Sequence, residues 1–105
     1  MTNNRIPGHQ VVADASCLSG TQAAMTVTST PQPARCGTTN AHRKVLTVFN
    51  NSEFSTIYWG WSSEVTTASG TPIEPKTLMI FNVSSDIDVY LVSSGNINTR
   101  ITEAI

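Results

Sequence analysis

The sequence predicts a small all-β domain, an antiparallel β-sandwich or barrel of about six to eight short strands that follows an irregular N-terminal arm. Three observations support this fold class. Several short runs alternate apolar and polar residues at every second position, clusters of Gly, Pro, Asn and Ser separate these runs, and no stretch keeps the 3.6-residue period of a helix. With 105 residues, the chain has the usual size of one domain.

The first 41 residues are predicted to form an arm that belongs to the same unit as the core, residues 42–105. Two runs in the arm, 10–13 and 23–30, have strand character. Pro31 and Pro33 should end the second run, because proline lacks the backbone donor that a β-ladder needs. We expect such an arm to tie neighbouring subunits together.

The first strands of the core are predicted at 45–49 and 55–61. Asn50, Asn51 and Ser52 separate them with residues that favour turns. Gly60 lies inside the second strand and would allow a bulge or a close backbone approach. A short, weak strand is expected at 65–68, and the two prolines at 72 and 75 indicate a connection or a sheet edge.

The last strands are predicted at 77–83, 86–92 and 97–102. The first of them is apolar on both faces, so we expect Leu78 and Ile80 in the core and the opposite face against a neighbouring subunit. In the second, Ile87, Val89 and Leu91 should point inward. The loop 93–96 has the composition of a hairpin turn, which predicts that 86–92 pairs antiparallel with 97–102.

Charge and targeting signals exclude several partners. Only 12% of the residues are charged, the formal net charge is -1, and Ser, Thr and Asn supply 35 of the 105 positions. Such a chain has no basic patch for nucleic acid or for an anionic membrane. The N-terminus has no apolar segment of the signal-peptide type, and no run is long enough to span a membrane. We therefore expect synthesis in a cytoplasm.

No arrangement of residues indicates catalysis, so we expect no enzymatic activity, no metal and no cofactor. The chain lacks a G-x-S-x-G turn and nucleotide-binding glycine motifs, and Glu64 and Glu74 have no paired carboxylate. The two histidines and two cysteines do not have the spacing of a zinc site. Cys17 and Cys36, with 18 residues between them, are reduced thiols or a disulfide formed after release from the cell.

An aromatic cluster is the one candidate for a binding surface. Aromatic rings at Phe54, Tyr58, Trp59 and Trp61 could stack on a sugar or a base. The alternative is that Trp59 and Trp61, which share a strand face with Ile57, anchor the core or a subunit interface. Candidate interface or ligand-stacking residues are thus Phe54, Tyr58, Trp59, Trp61, Met79 and Phe81.

The order of several short motifs resembles a β-sandwich domain of tailed-bacteriophage virion proteins. These motifs are RKVLTVFNNS at 43–52, IYWG at 57–60, VTT at 65–67, GTPIEPK at 70–76, DVYLV at 88–92, SG at 94–95 and TRITE at 99–103. The resemblance covers about 60 residues, which is roughly the span of one small sandwich. The chain departs from the pattern at Lys76, where a corner glycine is usual, and in its extra tryptophans.

The resemblance implies a non-enzymatic structural virion component, a capsid decoration (cement) protein on the surface of the head. It also implies the major capsid protein as partner and a homo-oligomer, with a trimer as the first expectation because capsids have local threefold axes. Head-fibre and tail-associated proteins are near relatives of that group. A carbohydrate-binding adhesion module of a head fibre or tail is the alternative function.

Overall fold

Eight β-strands form in the part of the chain that the structure, a computed structural model, describes, namely residues 19–36 and 42–105. No described residue is helical. The all-β fold class predicted from the sequence is confirmed. The strands are β1 (Gly20–Val27), β2 (Gln32–Pro33), β3 (Val45–Asn50), β4 (Ile57–Gly60), β5 (Thr71–Ile73), β6 (Leu78–Phe81), β7 (Tyr90–Val92) and β8 (Ile97–Ala104).

The strands are arranged in two four-stranded antiparallel sheets. Sheet I has the order β1-β8-β3-β6, and sheet II has the order β2-β7-β4-β5. The predicted run 10–13 lies outside the described residues. The run predicted at 23–30 is β1, which starts earlier and ends earlier than expected. Because β1 pairs with β8 along its whole length, this part of the predicted arm belongs to sheet I.

The core lies between the sheets and follows from the alternation of each strand. In β3, Leu46 and Val48 are buried while Thr47 and Phe49 lie on the other face and are only partly covered. Burying one such side chain contributes about 1.5–3 kcal/mol. The buried core cluster comprises Val27, Ala34, Leu46, Val48, Ile57, Ile73, Phe81, Val89, Leu91, Ile97 and Ile101.

A buried ion pair connects the segment before β3 to the end of β8. Arg43 Nη1 donates to Glu103 Oε2 at 2.9 Å, and both side chains are fully buried. The Nη2 atom of Arg43 also donates to the carbonyls of Ser84 and Ile87, at 2.7 and 2.6 Å. The other carboxylate oxygen of Glu103, Oε1, accepts a hydrogen bond from the Cys36 N–H at 3.1 Å. Buried charges are tolerated when they are paired and hydrogen-bonded in this way.

Asn50 joins the end of β3 to the loops of sheet II. Its Nδ2 atom donates to the carbonyls of Ser55 and Ile73 at 2.8 and 2.9 Å, and its Oδ1 atom accepts the Ser52 N–H at 2.9 Å. The side chain is completely buried. Asn50 therefore satisfies loop backbone groups that would otherwise be buried without partners.

The connection from β7 to β8 contradicts the predicted hairpin. These strands lie in different sheets: β7 pairs with β2 and β4, whereas β8 pairs with β1 and β3. The Ser93 N–H donates to the Thr28 carbonyl at 2.9 Å, so the chain leaves sheet II and follows the end of β1 into sheet I. The turn-type residues at 93–96 were compatible with either path, because alternation determines the buried face of a strand but not its neighbour.

The strand predicted at 65–68 is also wrong. These residues form turns, in which Ser69 Oγ accepts the Thr66 N–H and Thr66 Oγ1 accepts the N–H groups of Ala68 and Ser69, at 3.0–3.2 Å. Such side-chain bonds to the backbone compete with a β-ladder. In contrast, Gln32 and Pro33, which were not expected to pair, form the two-residue edge strand β2, where a missing donor is tolerated.

The orientation of β6 differs from the prediction. Pairing with β3 places Phe81 opposite Leu46 and Met79 opposite Val48, so these two side chains face the core. Leu78 lies on the outer face of sheet I and is 42% exposed. The prediction that Leu78 and Ile80 form the core is therefore wrong, because an apolar strand gives no periodic signal that distinguishes its two faces.

Lys76 forms the corner between β5 and β6 with a positive φ of 57°. A side chain in this left-handed region costs about 1–2 kcal/mol, whereas glycine has no such penalty. We expect Lys76→Gly to raise the free energy of unfolding by about 1 kcal/mol in urea denaturation. Lys76→Ala is the control, because it also removes the Nζ contacts with Asn51, at 3.1 and 3.3 Å, but keeps the Cβ atom. Equal stability of the two variants would contradict the prediction.

Candidate functional site

An aromatic cluster lies where β4 of sheet II approaches β6 of sheet I. The Trp59 ring contacts the Trp61 ring at 5.0 Å and the Phe81 ring at 4.9 Å, both edge to face. Trp61 and Phe81 are 6.3 Å apart in the same geometry. Trp59 and Phe81 pack against the core, while Trp61 is 55% exposed. Two edge contacts from better buried rings thus hold the exposed Trp61 ring in place.

The structure separates the six aromatic and apolar residues that the sequence singled out. Phe81 is buried and Met79 packs against the core, so both support the cluster from below. Tyr58 lies half-buried in β4 between Pro72 and Val92. Phe54 is 90% exposed on the loop before β4 and makes none of the ring contacts of the cluster. Of the predicted stacking residues, Trp61 therefore has an exposed ring in a fixed position.

A first cavity of about 370 Å³, here the hydroxyl-lined cavity, lies on one side of Trp61. The turn 61–70 forms its rim. Gly60 allows this turn to approach β4, since a Cβ atom at Gly60 would lie 2.7 Å from Val65 Cγ2. The close approach at Gly60 is made by the Val65 side chain, and not by the backbone as the sequence had suggested. The polar and aromatic lining residues are Trp59, Trp61, Ser62, Glu64, Ser69 and Thr71.

A second cavity of about 600 Å³, here the acidic cavity, is also lined by Trp61. Its remaining walls come from the segment 83–90, and the complete lining is Trp61, Val83, Asp86, Ile87, Asp88 and Tyr90. Ile87 is 45% exposed, so the prediction that it points inward is wrong. Residues 84–89 form a turn and an irregular approach to β7 rather than the predicted strand, and alternation does not hold there.

The carboxylates of the acidic cavity differ in their surroundings. Asp88 Oδ1 accepts a hydrogen bond from Arg35 Nη2 in a partly buried ion pair, and Arg35 Nη2 also donates to the Ser85 carbonyl at 3.4 Å. Asp86 is exposed, and its carboxylate has no bonding partner among residues 19–36 and 42–105. The guanidinium therefore neutralises one of the two carboxylates and leaves the other without a counter-charge.

The edges of the two sheets are protected unequally. Sheet II ends in β2 and β5, strands of two and three residues that contain Pro33 and Pro72. Sheet I ends in β1, which has eight residues with no charge and no proline, and in β6, which is wholly apolar. Proline, charge and short length are the usual means of preventing edge strands from pairing with another chain. Sheet I has none of them at β1.

Cys36 is a free thiol in the structure, and Cys17 lies outside the described residues. The Cys36 Sγ atom donates to the Ile101 carbonyl at 3.3 Å. Burial raises the pKa of this thiol, and the negative charge of Glu103 adds to the increase. A thiol with a raised pKa is protonated and weakly nucleophilic near neutral pH.

Within the described part of the chain, no three side chains of His, Cys, Asp or Glu come together as a metal site would require. The same residues contain no helix of the length and hydropathy needed to cross a membrane. Comparisons with protein-family models, with curated proteins and with solved structures found no match to this chain.

Proposed function

We propose that this chain is a non-enzymatic structural virion protein of a tailed bacteriophage, a capsid decoration protein that binds and stabilises the head shell. The observation that carries the proposal is the contrast between the sheet edges. A shell component needs surfaces that bind to neighbouring chains, and sheet I offers two such edges: the long, uncharged strand β1 and the short but wholly apolar strand β6.

The outer face of sheet I adds an apolar surface next to the β6 edge. Leu78 lies opposite Phe49 and Ile80 opposite Thr47, and all four side chains are exposed or only partly covered. A contiguous apolar surface beside an open edge is typical of a protein contact. We define Phe49, Leu78 and Ile80 as the β6 patch.

The residues that carry the resemblance to phage virion proteins have structural roles in this fold. Arg43 and Glu103, which open and close the matching region, form the buried ion pair. Lys76, which replaces the usual corner glycine, has the positive φ that favours glycine. These roles support the resemblance, and through it the capsid surface as location, the major capsid protein as partner and a homotrimer as assembly.

The proposal is tested with heads of the phage that encodes this chain, prepared without it. We expect these heads to rupture at lower temperature than complete heads, and added purified chain to bind and restore their stability. Leu78→Asn/Ile80→Asn should weaken this binding about tenfold or more, which corresponds to roughly 1.4 kcal/mol. Phe54→Asn, a change at an exposed residue outside the β6 patch, is the control. Heads that neither bind the chain nor lose stability without it would refute the proposal.

Carbohydrate binding is the second candidate, and the hydroxyl-lined cavity favours it. Sugars bind to exposed aromatic rings flanked by hydroxyl and carboxylate groups, and Trp61, Ser62, Glu64 and Thr71 supply such groups. The Nε1–H group of Trp59 is buried there without an acceptor among the described residues. A glycan array tests this candidate: binding that Trp61→Ala abolishes and Phe54→Ala preserves would support it, and an array without binding would exclude it.

A further inference from the structure

We propose that the acidic cavity is a docking site for an arginine side chain of a partner protein. This inference does not rest on the proposed function, because it concerns the chemistry of one cavity and is tested on the purified chain. Three features support it: apolar walls of suitable shape, an uncompensated negative charge, and an exposed aromatic ring.

The apolar walls suit the aliphatic part of a long side chain. Trp61 and Ile87 are 55% and 45% exposed and both line the cavity, so much of their apolar surface faces solvent in the isolated chain. Val83 and Tyr90, which also line the cavity, are half-buried. Arginine and lysine side chains bury their methylene groups along such surfaces while the charged end meets polar groups.

The charges of the cavity favour a cation. Asp86 and Asp88 contribute two negative charges, and Arg35 contributes one positive charge through its ion pair with Asp88, so the net charge is -1. Because Arg35 also bonds to the Ser85 carbonyl, it holds Asp88 against the segment that carries Asp86. An incoming guanidinium would provide the counter-charge that Asp86 lacks among residues 19–36 and 42–105.

The aromatic ring makes arginine the best-fitting cation. A guanidinium stacks on the face of a Trp ring and can bond to a carboxylate through two N–H groups at once. Trp61 is held by edge contacts with Trp59 and Phe81, so its ring needs little reorganisation on binding. A lysine side chain would bind more weakly, since its ammonium lacks the planar geometry.

Other ligand classes fit the acidic cavity less well. Phosphates and nucleic acids would be repelled by Asp86 and Asp88. Calcium takes about six to eight oxygen ligands, and this cavity has two carboxylates, one of which is already paired. Among the described residues, the acidic cavity offers a sugar one side-chain hydroxyl group, on Tyr90, and no side-chain amide. The hydroxyl-lined cavity, in contrast, has side-chain hydroxyl groups on Ser62, Ser69 and Thr71.

The test is a titration of the uniformly ¹⁵N-labelled full chain, followed by NMR. N-acetyl-arginine amide is compared with N-acetyl-citrulline amide, which has nearly the same shape but no charge. We expect arginine to shift the Trp61 indole and the Ile87 and Tyr90 amides with millimolar affinity, the range of a single side chain, and to lose affinity at high salt. Citrulline should bind at least about tenfold more weakly, a loss of roughly 1.4 kcal/mol.

Three variants, each checked for folding, show whether binding depends on the residues of the acidic cavity. Asp86→Asn should reduce the affinity for the arginine compound severalfold, and Trp61→Ala should abolish the shifts at Ile87 and Tyr90. Glu64→Gln is the matched control, since Glu64 is an exposed acid that does not line the acidic cavity. Thermal unfolding shows whether each variant is folded.

Three outcomes would overturn the proposal. They are equal binding of the citrulline compound, unchanged affinity in Asp86→Asn, and the absence of shifts at tens of millimolar arginine compound. Shifts of the Trp61 indole by methyl glycosides without any response to arginine would also overturn it, and would favour sugar binding instead.

Discussion

Replacing Arg43 by methionine is expected to lower the free energy of unfolding by about 3–5 kcal/mol. The variant leaves the Glu103 carboxylate fully buried without its counter-charge. It also removes the donor from the carbonyls of Ser84 and Ile87, which Arg43 binds at 2.7 and 2.6 Å. The buried carboxylate loses a partner that water cannot replace, and the two part-buried carbonyls lose a charged donor.

Urea denaturation followed by tryptophan fluorescence measures this loss. Arg100→Met is the control, because Arg100 is exposed on β8 and, within the described part of the chain, bonds only to the nearby Asn98 side chain. Its cost should be below about 0.5 kcal/mol. The double variant Arg43→Met/Glu103→Leu should recover part of the loss, since it no longer buries a lone charge. A cost below about 1 kcal/mol for Arg43→Met would show that the pair is not buried as described.

The second large effect concerns the core between the sheets. Leu91→Ala is expected to lower the free energy of unfolding by about 2–5 kcal/mol, because Leu91 is fully buried in β7 and its truncation leaves a cavity. Leu78→Ala makes the same chemical change on the outer face of β6, where the side chain is 42% exposed, and should cost less than about 1 kcal/mol.

Chemical denaturation of both leucine variants measures the difference between them. A larger loss of unfolding free energy in Leu78→Ala than in Leu91→Ala would mean that the face of sheet I described here as outer is the one that packs against the core. Because Leu78 belongs to the β6 patch, its variant should instead affect binding to a neighbouring chain. The comparison therefore separates residues that stabilise the fold from residues that are available for contact.

Alternation in the sequence was sufficient to locate most strands and their buried faces. β3 and β8 match the predicted runs closely, and in β8 Ile97, Thr99 and Ile101 are buried as their alternation indicates. These strands lie in the middle of sheet I, where one face meets the core and the other does not. When a strand is buried on one face only, the alternation of apolar and polar residues is a clear signal of it.

The neighbours of the strands could not be predicted in the same way. The period of β8 is equally compatible with pairing to β7 or to β3, and the residues at 93–96 suit a hairpin as well as a crossing between sheets. The crossing depends on the hydrogen bond from Ser93 to Thr28, a contact between segments far apart in the sequence. Local propensity contains no information about such contacts.

The candidate site was predicted only in part. Trp61 was identified from its aromatic type, but its exposure follows from its position beyond the end of β4. Of the acidic cavity, the sequence indicated only that Asp86 and Asp88 share one face of the predicted strand 86–92. The rest could not be predicted, because the irregular segment 83–90 and the ion pair between Arg35 and Asp88 bring together residues without a common motif. The position of Arg43 and Glu103 at the two ends of the region of resemblance was the only sign of a buried pair.

Electron cryomicroscopy of the intact phage particle tests the central claim most directly. The account predicts that density for this chain lies on the outer surface of the head, with the β1 edge or the β6 patch of sheet I against a neighbouring chain. Particles without this chain, or density in which both edges of sheet I face solvent, would contradict it.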